Sequence, residues 1–246
     1  MNKKIMQLGW AIALTLSTQA QAGILDEVNN AADMAKLKAA CTSSPWDSCQ
    51  VVREVTRTTR APQETEPAIW KEISTYQLIR STPTKVAAAF ADYSRYNTMF
   101  SGANLVSANL TEDRFPLMFA DFTLRVSFGP INQETQYSLD NRWSQDNGGY
   151  HIDWTMTRSA DVLWIEGRHD IAPVTIDGQA MTLVKYYNYI NPKTMRPLLN
   201  SGLARTENKK QISRLVNLLR TWVETDPNGA LASQVTSFCG RWQCQR

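Results

Sequence analysis

Histidine and cysteine are scarce in this chain, and an excess of one charge sign is missing. Among 246 residues there are two histidines and four cysteines, and 26 Lys and Arg face 23 Asp and Glu. So even a balance leaves no electrostatic footprint for nucleic acid, and no nucleic-acid partner is expected. Neither cysteine spacing is Cys-x-x-Cys and the histidines lie far from both, which argues against a metal site. Gly-x-Ser-x-Gly, His-Glu-x-x-His, a P-loop and a dinucleotide-binding glycine fingerprint are all absent. No cofactor and no catalytic residue is therefore assigned. Past residue 22 there is no long apolar run, so no membrane-spanning helix is expected.

What is present begins at the N-terminus. Lys3 and Lys4 precede an apolar stretch from Ile5 to Leu16, interrupted by Gln7, Gly9 and Thr15, and Ala20-Gln21-Ala22 stands before Gly23. A basic start, an apolar run and a small-x-small site in that order read as a cleavable secretory signal peptide over residues 1–22. The run is shorter than the about 20 residues a transmembrane helix needs. No cysteine follows the cleavage point, so a lipid anchor is not expected. The expected location is the bacterial periplasm, with a soluble chain after cleavage between Ala22 and Gly23. The leader holds two lysines and no acids, so the mature chain comes close to neutrality.

Cys41, Cys49, Cys239 and Cys244 all lie in the flanks of the chain. In an exported protein an even count points to disulfides, and four cysteines allow three pairings. Two local loops are preferred, Cys41–Cys49 around Ser43-Ser44-Pro45 and Cys239–Cys244 around Gly240. A cross-link between the flanks stays open.

Residues 24–40 pattern as a short amphipathic helix, Gln50 to Arg60 as an extra β-branched strand, and 61–67 as a proline-bounded linker. From Ile69 the pattern is regular. A strand to Arg80 is followed by a helix with Thr82 as cap, Pro83 in the first turn and Val86 to Phe90 as apolar body. Asp92 to Phe100 reads as a second short helix or turn. Strand-like segments follow at Ala103–Asn109, Phe115–Phe128, Ile131–Trp143, Gly149–Arg158, Asp161–Ile171 and Met181–Ile190. Their breaks at Gly129-Pro130, Asp146 to Gly149 and Asp177-Gly178 suit tight turns. Gln211 to Glu224 then places Ile212, Leu215, Val216, Leu219, Trp222 and Val223 on one helical face, with residues 196–210 leading in.

A curved sheet with one apolar face needs a cover, and this last helix is the long element on hand. The expected fold class is α+β, a helix-grip fold in which a curved antiparallel β-sheet wraps a long C-terminal α-helix, with two short helices after the first strand. The expected organisation is a signal peptide (1–22), an N-terminal extension (23–66), the sheet-and-helix domain (67–224) and a cysteine-containing tail (225–246).

Two stretches carry a family likeness: Ser81 to Tyr93 (STPTKVAAAFADY) with Tyr96 and Phe100, and Thr182 to Pro192 (TLVKYYNYINP) with Arg196 to Asn200 and the closing helix. With this order of elements, the region from about Ile69 to Glu224 resembles the START-like superfamily (SRPBCC), which includes lipid-transfer START domains and polyketide cyclase-like proteins. The first stretch is similar to that family's opening helix. The second is similar to its last strand, the Asn-Pro turn and the entry to its closing helix. The likeness implies a pocket for a hydrophobic ligand such as a lipid, sterol, polyketide or hormone, with catalysis confined to some branches. A shared fold does not choose among these.

Period-two alternation sorts the strand faces. Met118, Ala120, Phe122, Leu124, Val126 and Phe128 share one; Tyr137, Leu139 and Trp143 share another; Tyr150, Ile152, Trp154 and Met156 a third. Turned toward the closing helix, they would enclose a space where Tyr and Trp offer apolar rings and polar tips to a ligand; plain core filling is the competing reading. The expected ligand-lining residues are Phe122, Leu124, Tyr137, Tyr150, Ile152 and Trp154, joined by Trp164, Tyr187, Leu215 and Leu219. Trp164, Glu166, Arg168 and Asp170 alternate on one strand, and Lys185, Tyr187 and Tyr189 on another. They read as a salt-bridge ladder, the alternative being an inward Arg168 or Lys185 that pairs with an anionic ligand. His151 and His169 both read as surface or structural.

The expected function is binding or carriage of a lipid-like or other hydrophobic small molecule. One alternative is a cyclase- or hydrolase-type enzyme with Glu166 or His151 inside the cavity. Another is an envelope interaction module that meets a partner through the cysteine-bearing flanks. Arg57 and Arg60 suit a solvated strand, or a transient contact with an anionic membrane surface.

Overall fold

The computed structural model describes Ala35, Leu37, Ala39, residues 50–55, Ala61, Glu64, residues 72–242 apart from 129–130, 147 and 194–201, and Cys244. The leader, Cys41, Cys49, Arg57, Arg60 and the Gly129-Pro130 turn lie outside the described residues.

Thr82 opens the first helix by the chemistry its position calls for. Its hydroxyl accepts a hydrogen bond from the Lys85 amide at 3.4 Å, and Pro83, which has no N–H to strand, sits in the first turn. This helix, α1 (Pro83–Ala91), buries Val86 to Phe90. A 3-10 turn (Tyr93–Arg95) and the short α2 (Tyr96–Met99) follow and bury Tyr93, Tyr96 and Met99.

Two strands precede α1, β1 (Gln50–Val55) and β2 (Glu72–Ile79). After α2 come β3 (Leu105–Arg114), β4 (Leu117–Phe128), β5 (Ile131–Asp146), β6 (Gly149–Ser159), β7 (Val162–Ile176) and β8 (Gln179–Pro192). They make one antiparallel sheet in the order β1-β2-β8-β7-β6-β5-β4-β3. Strands β3 to β8 pair with their sequence neighbours, whereas β2 joins the far side against β8, Leu78 opposite Leu183. Asp177 (φ 51°) and Gly178 (φ 78°) form the β7–β8 turn with the paired positive φ values that a two-residue hairpin of native twist needs.

Strand β3 runs on to Arg114, past the expected end at Asn109. Thr111 to Arg114 look like a break in sequence because β3 is an edge strand, where exposed charge blocks pairing with another chain.

The long helix α3 (Gly202–Thr225) crosses the inner face of the sheet and buries Ile212, Val216, Leu219, Trp222 and Val223. Residues 225–246, to which the sequence pattern assigned no element, contain α4 (Ala230–Trp242), packed on α1. Asp226 and Asn228, both with positive φ, turn the chain between the two helices. Ala230, Leu231, Gln234 and Phe238 of α4 are buried. Cys239 and Cys244 form a disulfide at its end, Cα to Cα 4.9 Å, one of the two expected local loops. Among the described residues no helix is long and apolar enough to cross a membrane.

The outer face of the sheet is covered in part by the N-terminal extension. Leu37 is fully buried in a cluster with Tyr76, Leu78, Met181 and Leu183. Glu64, also buried, accepts hydrogen bonds from the Tyr189 hydroxyl at 2.5 Å, the Asn191 amide at 2.8 Å and the Ala61 N–H at 2.7 Å. Removing that carboxylate strands buried donors. Glu64→Ala is expected to lower stability by roughly 1–3 kcal/mol, read as a drop in the urea midpoint, with Glu64→Gln milder because its amide oxygen still accepts.

Candidate functional site

A cavity of about 240 Å³ lies between the inner face of the sheet and α3. One wall is aromatic by strand register and helix placement. Phe122 and Tyr137 stand opposite each other on β4 and β5, with stacked rings 5.5 Å apart. Tyr93 and Tyr96 stack at 4.6 Å, and Tyr96 meets Phe100 edge-on at 5.1 Å. Ile212 and Leu215 of α3 close the opposite side. The floor comes from Ile152 and Trp154 on β6, Ile165 and His169 on β7, and Tyr186 and Asn188 on β8.

Trp154 owes its pose to a glycine. It faces Gly167 across the β6–β7 pair, where a Cβ would lie 2.0 Å from Trp154 Cζ2 and 2.5 Å from the Tyr187 carbonyl oxygen. With no side chain there, the indole lies down on the strand and stacks on Tyr186 at 5.4 Å.

His169 sits beside it, 6% exposed, its ring held among Phe90 (3.8 Å), Trp154 (4.9 Å) and Tyr186 (4.6 Å). Its Nδ1 is buried without a hydrogen-bond partner. Burial lowers its pKa to about 3, and the charge of Asp170 only partly opposes this, so the ring is neutral at ordinary pH. Tyr93, Tyr96, Tyr137 and Tyr186 are likewise kept in their neutral form, burial pushing each phenol above its ordinary range.

The low value for His169 has a consequence for stability. The unfolded chain takes up a proton near pH 6.5, whereas the folded one resists until about 3. The unfolded state binds more protons between those limits, so stability is complete above pH 6.5 and falls as pH drops toward 3. The urea midpoint of the wild type is expected to decline across that window more steeply than that of His169→Phe. Equal slopes would mean that the ring titrates alike in both states.

Among the described residues the inner wall carries no charge. Among the described lining residues, charge belongs to Arg125, Asp161 and Glu207, each exposed or half-buried at the rim, and Arg125 is paired with Glu134 at 2.8 Å.

Six of the ten expected lining residues border the cavity: Phe122, Leu124, Tyr137, Ile152, Trp154 and Leu215. Four do not. Tyr150 lies at the end of the sheet that α4 covers, its ring 5.2 Å from Phe238 and its hydroxyl 3.1 Å from Thr84 Oγ1. Leu219 is packed solidly in the same core. Trp164 and Tyr187 point out of the other face and donate to Glu166 at 2.6 and 3.2 Å.

Glu166 and His151, the residues named for the enzymatic alternative, are on that outer face too. His151 Nδ1 is 2.6 Å from Asp170 Oδ1, and Arg168 pairs with Asp153 and Asp170 there and does not point inward. Burial alone would raise the Asp170 pKa, but hydrogen bonds and charge from His151 and Arg168 outweigh it and hold the carboxyl below its ordinary value.

His169, read as surface or structural, is a cavity residue. Alternation with Ile165 and Ile171 could have placed it, as alternation with Val184 and Ile190 could have placed Tyr186. Tyr93, Tyr96 and Phe100 had no such signal, since short helices lack a period long enough to read.

No family model and no curated protein matches the chain. Solved structures do. TTHA0849 from Thermus thermophilus is 14% identical, with a TM-score of 0.53 over 64% of this chain and 99% of that one. A STAR-related lipid transfer protein from Xanthomonas axonopodis is 10% identical, with a TM-score of 0.51 over 70% and 98%. At these identities the likeness establishes the fold, which is the START-like helix-grip arrangement of an antiparallel sheet closed by a C-terminal helix.

Proposed function

We propose that this START-like chain binds or carries a lipid-like or other hydrophobic small molecule in the bacterial periplasm. The observation that carries the reading is the cavity between sheet and α3, walled by aromatic rings and, among the described residues, free of charge on its inner surface. A chain built only to be stable would fill that space, because cores pack to near crystal density. The solved neighbour titled a lipid transfer protein lends support from the fold alone. At about 240 Å³ the space lies just under the ~300–1,000 Å³ of common ligand sites, so a compact or single-chain molecule suits it better than a two-chain phospholipid. The periplasmic part rests on the leader read over residues 1–22.

A cyclase- or hydrolase-type reading would need an acid or base in the wall. His169 is the titratable imidazole there, and with a pKa of about 3 it is a poor proton acceptor at neutral pH.

Native mass spectrometry of protein recovered from the periplasmic fraction, followed by organic extraction, tests both parts. One hydrophobic adduct per chain, on a polypeptide beginning at Gly23, is expected. Protein retained in the cytoplasm would overturn the location. Absence of an adduct, together with no uptake of any hydrophobic probe, would overturn the binding role.

A further inference from the structure

We propose that the buried end of the ligand is an uncharged hydroxyl or carbonyl group, and that the His169 imidazole receives it. This rests on the binding role above and narrows it to a chemical class.

The inner wall argues against a charged head. A carboxylate, phosphate or ammonium drawn into the floor would leave water with no described counter-charge to meet it, at a cost of several kcal/mol. The charged lining groups, Arg125, Asp161 and Glu207, are all at the rim.

The same wall argues against a plain hydrocarbon. Buried polar atoms normally have partners, and three on described lining residues lack them: His169 Nδ1, Trp143 Nε1 and Gln211 Oε1. Phe90, Trp154 and Tyr186 enclose the imidazole, which prevents it from swinging away to find water. Two further polar groups of the wall are already engaged, the Tyr96 hydroxyl with the Phe90 carbonyl at 2.7 Å and the Asn141 amide with the Met118 carbonyl at 3.3 Å. A neutral imidazole offers one donor and one acceptor, so a ligand hydroxyl can satisfy either nitrogen and a carbonyl oxygen its N–H. The unpartnered indole N–H of Trp143 is a second donor suited to oxygen. A hydrocarbon would leave both unmet.

Displacement of N-phenyl-1-naphthylamine by dodecanol, dodecane, dodecanoic acid and dodecyltrimethylammonium tests this with chain length held constant. Dodecanol is expected to compete about tenfold better than any of the other three, the gain of one well-made hydrogen bond. His169→Phe, similar in shape to the ring it replaces, is expected to bring dodecanol down to the level of dodecane measured on that same variant. His169→Gln, which keeps a donor and an acceptor, is expected to recover part of the preference.

Tighter competition by the acid or the ammonium overturns the proposal, as does an alcohol preference that persists in His169→Phe. If the four compete equally, the ligand class is wrong and the binding role stands. If the protein takes up neither the probe nor any of the four, the binding role itself fails. The wild-type ranking needs no variant to fold.

Discussion

Gly167→Ala is expected to abolish ligand uptake and to destabilise the fold by about 1–3 kcal/mol or more, the usual cost of forcing atoms into a full core. The new methyl would lie 2.0 Å from Trp154 Cζ2 and 2.5 Å from the Tyr187 carbonyl oxygen, distances at which something must move. The carbonyl belongs to the β7–β8 ladder, where Gly167 pairs with Asn188. It is therefore the indole that gives way. Trp154 is backed by Tyr186 and His169, so the free volume open to it is the cavity itself. An indole pushed into a space of about 240 Å³ leaves little for a ligand.

Urea unfolding reads the first effect and N-phenyl-1-naphthylamine titration the second. Trp154→Leu should relieve the clash, making the double variant more stable than the two single losses added together predict. Wild-type binding and midpoint in Gly167→Ala would refute this account of the floor.

The second large effect is expected at Phe238. This α4 residue is 2% exposed, and its ring meets Tyr150 at 5.2 Å, Trp143 at 5.5 Å and Phe115 at 6.1 Å. Truncating so enclosed an aromatic leaves a hole that rigid neighbours cannot fill. Phe238→Ala is expected to cost about 3–5 kcal/mol, a large share of the ~5–15 kcal/mol that holds a typical domain together. The urea midpoint measures it. Because Trp143 touches Phe238 and also lines the cavity, probe binding should weaken as well.

Ending the chain after Thr225 should do at least as much damage. A truncated chain with an unchanged midpoint would mean that α4 is not part of the cooperative unit. The same packing bears on the interaction-module alternative. The flanks bury Leu37, Glu64 and Phe238 against the domain, so deleting them tests folding before it tests any partner.

What could be read directly from the chain was local and periodic. Thr82-Pro83 announced a helix start, Asp177-Gly178 a tight turn, and the apolar face from Ile212 to Val223 the covering helix. Alternation along β4 and β6 put Phe122, Leu124, Ile152 and Trp154 on the inward side. Each rests on a period of 2 or about 3.6 residues, which a single segment carries by itself. The order of those elements was enough to suggest the helix-grip fold.

Tertiary structure alone decided which inward residues face empty space. Tyr150 and Trp154 share a face of β6, yet one is packed under α4 and the other borders the cavity. That outcome depends on where α1, α3 and α4 come to rest, and those contacts join residues far apart in sequence. The scarce histidines divide in the same way. His151 finds Asp170 on the outer face, while His169 turns inward and loses its proton because the aromatic rings around it exclude water. Strand parity can say which side a histidine takes. Only the packing of distant segments makes it a buried, neutral imidazole whose Nδ1 has no hydrogen-bond partner.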